Sequence, residues 1–182
     1  MAVGKKEDKR TGAKVFSSLS FVVAVVLVVV GVVCWNSGSQ ALKDVNKGLA
    51  DQRIYFPPEG TPSFAPEAFP KAQKYAGKQV KDGDTAKAYA DDFLAVQLAL
   101  VGNGKTSFEV GAALAADPTN VALQQQQATM FQLDTSRSLM LLGGYGASVQ
   151  AATLKKIGTI TLAAAAVLVV VGFGEWMASK RT

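Results

Sequence analysis

From Val15 to Leu42 no residue carries a charge, and the core of that stretch, Val15–Trp35, holds ten valines with Phe16, Leu19, Phe21 and Leu27. As a helix its 21 residues would run about 32 Å, close to the hydrocarbon thickness of a bilayer. Valine favours strands in water. In lipid, however, a backbone group finds a partner only within its own helix, so the pattern predicts a spanning helix. A second uncharged run, Ile157–Gly174, centres on Ala163–Ala166 and Val167–Val171. Trp35 and Trp176 fall where interfacial anchors belong. The prediction is two membrane spans, residues 15–35 and 157–177.

Between the spans the period shortens and polar residues return. Leu42, Val45 and Leu49 recur at helical spacing, predicting a short amphipathic helix over residues 40–53. Residues 54–70 then hold five of the six prolines together with Tyr55, Phe56, Phe64 and Phe69. Proline fixes φ and removes a donor, so this reads as an extended, polyproline-like strap. Its four rings must find apolar surroundings, either on their own domain or on a partner protein. Asp84 is placed to cap a helix running to about Val101, which Gly102-Asn103-Gly104 would end. A short helix over Phe108–Ala116 follows. Asp117 with Pro118 then opens a third helix, with Val121, Ala128, Phe131, Thr135, Leu139 and Leu142 on one face. Gln124–Gln127 read as a solvated face, and Gly143-Gly144-Tyr145-Gly146 as a bend or break. No run of alternating strands stands out.

The charges set an orientation. Lys5, Lys6, Lys9, Arg10 and Lys14 outweigh Glu7 and Asp8 before the first span, whereas only Lys43 and Lys47 lie just beyond it. The basic excess predicts a cytoplasmic N-terminus, and the second span returns Lys180 and Arg181 to that side. Lys155 and Lys156 oppose the rule but can snorkel. The expected plan is a basic cytoplasmic tail (1–14), a first span (15–35), an extracytoplasmic helical domain (36–156), a second span (157–177) and a cytoplasmic tail (178–182). The expected fold class is an all-α membrane protein: two antiparallel transmembrane helices bracketing a mostly helical domain with a proline-rich strap. Ser37-Gly38-Ser39 would suit a signal-peptide cleavage site, but the preceding apolar run is too long. Cys34 follows Val33, which argues against a lipoprotein box.

Composition narrows the chemistry. The chain of 182 residues has no histidine and a single cysteine, Cys34. That removes Ser-His-Asp and Cys-His catalysis, two-His-one-carboxylate iron, disulfides and CxxC chemistry. Ala99–Thr106 matches a relaxed phosphate-binding loop, yet a helix and not a buried strand precedes it, so a helix C-cap and turn is the expectation. Asp82 and Asp84 lack the further oxygen ligands of a calcium loop, and Asp91 and Asp92 point apart on a helix. No residue is put forward as catalytic, as a metal ligand or as a cofactor ligand, and neither nucleotide nor nucleic acid is an expected partner. Ser20, Ala24 and Gly31 share a four-then-seven spacing with Thr161, Ala165 and Gly172, so small residues are expected to join the two spans, with Gly31 facing Thr161 and Ser20 facing Gly172.

The segments Ala76–Val80, Ala88–Asp91, Gly104–Thr106, Asp117-Pro118 and Arg137–Leu139 before a terminal span resemble those of small actinobacterial two-span membrane proteins. The resemblance implies the plan given above. Members of that group are often labelled aromatic ring-opening dioxygenases, a label that a chain without histidine cannot support. The long strap and Lys155-Lys156, which interrupt the final helix, depart from the pattern. The functional expectation is a non-catalytic accessory subunit that meets other integral membrane proteins and the lipid bilayer. A respiratory-chain complex is one host that such a protein would suit. The alternative is an envelope binding module whose ectodomain holds a lipid or small ligand in a pocket lined by Tyr55, Phe56, Phe64, Phe69, Tyr75, Tyr89 and Phe93.

Overall fold

A computed structural model describes residues 3–181, with side chains placed for residues 12, 15–178 and 180. The basic side chains of the N-terminal tail, Lys5 to Lys14, lie outside those described. The chain is all-α. Helix α1 runs unbroken over Val3–Asp51, followed by α2 (Gly83–Ala88), α3 (Ala95–Gly102), α4 (Ser107–Ala116), α5 (Val121–Leu139) and α6 (Ala147–Arg181). Two π-helical segments, Tyr89–Leu94 and Met140–Gly146, join α2 to α3 and α5 to α6. The contacts divide the chain into two compact units: residues 1–40 with 151–182, and residues 41–150.

The first unit is a pair of antiparallel helices, each long and apolar enough to cross a membrane. Its valines face outward: Val15, Val22, Val25, Val29, Val167 and Val170 are all exposed. Trp35 and Trp176 are partly exposed, with the Lys155 ammonium 5.8 Å from the Trp35 ring centre and that of Lys180 3.7 Å from the Trp176 ring centre. Lys155-Lys156 do not interrupt the final helix; α6 passes through them. Their ammonium groups sit on long stems and need no break in the backbone to reach polar surroundings.

The second unit has an apolar core. Phe56, Phe64, Phe69 and Phe93 are buried together with Leu49, Val80 and Leu94. Ring centres lie 5.1 Å apart for Phe56 and Tyr75, 5.0 Å for Phe56 and Tyr89, and 5.6 Å for Phe64 and Phe93. Residues 54–70 are not one extended strap: Pro62–Phe64 forms a 3-10 turn, and Thr61 donates to the Pro58 carbonyl at 2.7 Å. At one end the segment pairs with residues 78–80. Phe56 N donates to Lys78 O at 2.9 Å and Val80 N to Ile54 O at 2.8 Å, around an antiparallel bridge between Tyr55 and Gln79. The Gln79 amide reaches back to the Ala50 carbonyl at 2.7 Å and satisfies the last turn of α1.

Two helix starts differ from expectation. Asp82, not Asp84, caps α2: its carboxylate accepts from Thr85 N at 2.8 Å while Thr85 Oγ1 accepts from Asp82 N at 3.1 Å. Only a cap at 82 places a hydroxyl at the third helical position, where it can return the bond. Likewise Asn120, not Asp117, caps α5, accepting from Leu123 N at 3.2 Å. Asp117 ends α4 instead, and its carboxylate accepts from Thr119 and Asn120 within the turn. Gly143–Gly146 does not break the helix; the extra residue of a π turn carries the chain through.

Candidate functional site

Three features have the character of a working surface: the seam of the helix pair, one face of α5, and a groove in the second unit. The seam is built from small residues at a strict seven-residue spacing. Ser17, Ala24, Gly31 and Gly38 are buried along α1, and Ala151, Gly158, Ala165 and Gly172 along α6. They run in opposite directions. Ser17 Oγ donates to the Gly172 carbonyl at 2.8 Å, and a Cβ on Gly158 would stand 2.7 Å from Gly31 O. A Cβ on Gly38 would likewise meet Ala151 O at 2.7 Å. That register sets Ala24 opposite Ala165. A seven-residue repeat keeps the seam facing its partner when helices supercoil left-handedly, and the absence of side chains lets the backbones touch.

Of the residues put forward from spacing, Ser20, Ala24, Gly31, Ala165 and Gly172 are buried and Thr161 is half-buried. A Cβ on Gly172 would lie 3.3 Å from Ser20 Cβ, and one on Gly31 would meet Leu162 and the Gly158 carbonyl. The Thr161 hydroxyl donates to Ile157 O within its own helix at 2.8 Å. Ser17, Gly38, Ala151 and Gly158 escaped sequence reasoning, although a search for one seven-residue period in both runs would have found them.

Of the strap's rings, Phe56, Phe64 and Phe69 are closed inside their own unit, and Tyr55 alone is exposed, at 54 %. The seven aromatics proposed as a pocket lining mostly pack on one another.

The apolar stripe read along the third helix points outward. Val121, Phe131, Leu139 and Leu142 are exposed at 62, 69, 66 and 76 %. The packed side of α5 uses Leu123, Met130 and Leu133, continued by Met140 in the π-helical segment that also carries Leu142, with Gln126 donating to Val101 O at 2.7 Å and Arg137 to Asp91 at 3.1 Å. Flexible methionines and hydrogen-bonded polar groups fill that interface, which leaves the more regular apolar stripe uncovered.

A groove of about 730 Å³ opens in the second unit. Its lining includes the apolar Leu49, Leu94, Leu133 and Met140 and the polar Gln52, Gln97, Gln132, Thr129 and Ser136. Both π-helical segments contribute, through Tyr89 and Leu94 and through Met140, Gly143 and Gly144. Burial pushes the Tyr89 phenol above its ordinary value of 10.0, so it stays neutral. Sequence patterning gave no local signal for this lining, because it draws single residues from separate elements.

The remaining chemistry is occupied locally. Lys87 pairs with Asp91, which also accepts from Arg137, and these bonds hold the Asp91 carboxyl below 3.8, Lys87 contributing most. At the loop resembling a phosphate cradle, Asn103 is left-handed and Thr106 caps α4. The Glu109 carboxylate accepts from Thr106 N at 2.7 Å and from Thr106 Oγ1 at 2.8 Å. Those bonds hold Glu109 below its usual 4.5, so the protein's own anion sits at that helix start. Among the described residues no three His, Cys, Asp or Glu side chains gather as metal ligands would. Compared with known proteins, the chain matches no family model, no curated protein and no solved structure.

Proposed function

We propose that this chain is a non-catalytic integral membrane subunit that docks onto another integral membrane protein through the outward face of α5. The observation that carries the reading is that four large exposed side chains, Val121, Phe131, Leu139 and Leu142, share one helical face, whereas the unit's other large exposed apolar side chains, such as Leu100 and Phe108, lie on other elements. Uncovered apolar rows of this kind mark protein contacts. The basic N-terminal tail favours cytoplasmic termini, with residues 36–156 on the opposite side. Without a histidine the chain lacks the commonest general base, which favours a role in binding.

Mild-detergent extraction from the native membrane followed by native electrophoresis tests the reading. Wild-type protein is expected in a high-mass species, and Phe131→Asp or Leu142→Asp should release it while insertion is retained. A wild-type protein that migrates alone, or a high-mass species indifferent to both aspartates, would sink it.

A further inference from the structure

The groove of the second unit has a composition that selects its contents. Sixteen residues line it, and in a chain that is 18% charged about three of them should be ionic; none is. Its polar groups are the Gln52, Gln97 and Gln132 amides, the Thr129 and Ser136 hydroxyls and the neutral Tyr89 phenol. Each amide offers a donor and an acceptor. A carboxylate or phosphate entering here would lose water without gaining a cation, whereas hydroxyl and ester groups could bond to the amides; the Thr129 hydroxyl already donates to Gln125 O at 2.9 Å and offers only an acceptor.

Two glycines give a second line of evidence. A Cβ on Gly144 would meet Ala86 Cβ at 2.7 Å, so packing alone explains that residue. Gly48 and Gly143 are different. Both lie in helical backbone without positive φ, a Cβ at either would stand in open space, and both line the groove. Glycine weakens a helix relative to alanine, and nothing in the fold requires it at these two positions. What they preserve is the width of the groove. The two π-helical segments among the described residues also turn toward it, a distortion that recurs at binding sites.

We propose that the groove binds an uncharged amphiphile: a single-chain lipid with a hydroxyl- or ester-bearing head, of the monoacylglycerol class. The hydrocarbon lies against Leu49, Leu94, Leu133 and Met140, and the head meets the glutamine amides. The volume of about 730 Å³ falls within the roughly 300–1,000 Å³ of small-ligand sites. Leu139 belongs both to the groove lining and to the exposed row of α5, so the two sites adjoin; the labelling test reads the groove without any partner protein.

The test uses full-length protein in dodecylmaltoside and a monoacylglycerol carrying a diazirine in its acyl chain. Photolabelling should saturate, map to the segments around Leu49, Leu133 or Met140, and be displaced by monoolein but not by oleate at pH 8. Gly48→Leu and Gly143→Leu should each reduce labelling about tenfold with the thermal transition unchanged. Should either leucine variant misfold, the exposed Gln132→Lys keeps the idea falsifiable: a cation at the rim should make oleate the better competitor. Labelling that never saturates, that ignores both leucines in folded protein, or that oleate displaces from wild type as well as monoolein does would overturn the proposal. So would a Gln132→Lys variant with unchanged preference.

Discussion

The two units bury opposite kinds of residue. In the helix pair the interior belongs to Ser17, Ala24, Gly31 and Gly158 while valines face out. In the second unit the largest interior side chains are phenylalanines; Gly60, Gly77 and Gly104 serve turns where φ is positive, and Gly83, Gly102 and Gly144 are buried singly beside side chains and not in a seam of backbone against backbone. One chain thus follows two rules, and both are what a helix pair in lipid and a domain in water would require. In water, enclosing a phenylalanine ring stabilises the fold by removing apolar area from the solvent. In lipid that gain vanishes, because a tail is as apolar as valine, and helices adhere through close backbone contact, which only small residues permit. The α5 face departs from the second unit's rule along a whole row, and Leu100 and Phe108 depart from it singly.

Reporters for the two units are built in. Trp35 and Trp176 both lie in the helix pair, and all four tyrosines, Tyr55, Tyr75, Tyr89 and Tyr145, lie in the second unit. The largest expected effect comes from Phe64→Ala, which empties a fully buried position between Phe69 and Phe93. We expect a loss of about 3–5 kcal/mol in the transition followed by tyrosine near-ultraviolet dichroism. The tryptophan transition should change little. Parallel losses in both signals would show that the two units do not unfold by separate rules.

Gly158→Leu makes the converse experiment. Its side chain would have to enter the space held by the Gly31 carbonyl and Trp35 Cα, both within 2.8 Å of the new Cβ. A cost of about 1–3 kcal/mol is expected in the tryptophan transition in detergent. Gly174→Leu is the control, since a Cβ there meets nothing within 4 Å. Equal effects from the two leucines would mean that glycine matters here for helix propensity and not for contact.

These contrasts also explain what was legible in the sequence. The apolar runs declared two helices, because an uncharged stretch of that length has few other structures available. The seam is half legible: Ala24, Gly31 and Gly172 stand out among larger residues, but Ala165 is hidden in the run Ala163–Ala166, and pairing the two rows required the partner's register. The caps were misassigned at Asp84 and Asp117 because several acceptors compete within a few residues and the reciprocal hydroxyl of Thr85 decides one of them. The face of α5 misled because periodicity identifies an apolar side without saying whether anything covers it. The groove was invisible, since Gly48, Gln97 and Gln132 become neighbours only when three elements meet.

The smallest expected effect concerns acid, and it again separates the units. Asp91 sits in the second unit at the meeting of two cations, Lys87 four residues before it and Arg137 from α5. Their hydrogen bonds and charges hold its carboxyl below 3.8, outweighing the desolvation that acts against them. A group whose folded value is depressed contributes stability that is complete above the unfolded value and is lost as pH falls through the folded one. The carboxylate is partly exposed, so water and salt screen the pair and the change should be modest. Tyrosine-detected melting should therefore hold steady down to about pH 4 and then decline, and Asp91→Asn should flatten that decline while lowering the plateau above it. The difference between wild type and Asp91→Asn should be absent from the tryptophan signal. If the acid limb persists unchanged in Asp91→Asn, the pairing of α5 with the 89–94 segment does not depend on this carboxylate, and packing at Met130 and Met140 must hold it instead.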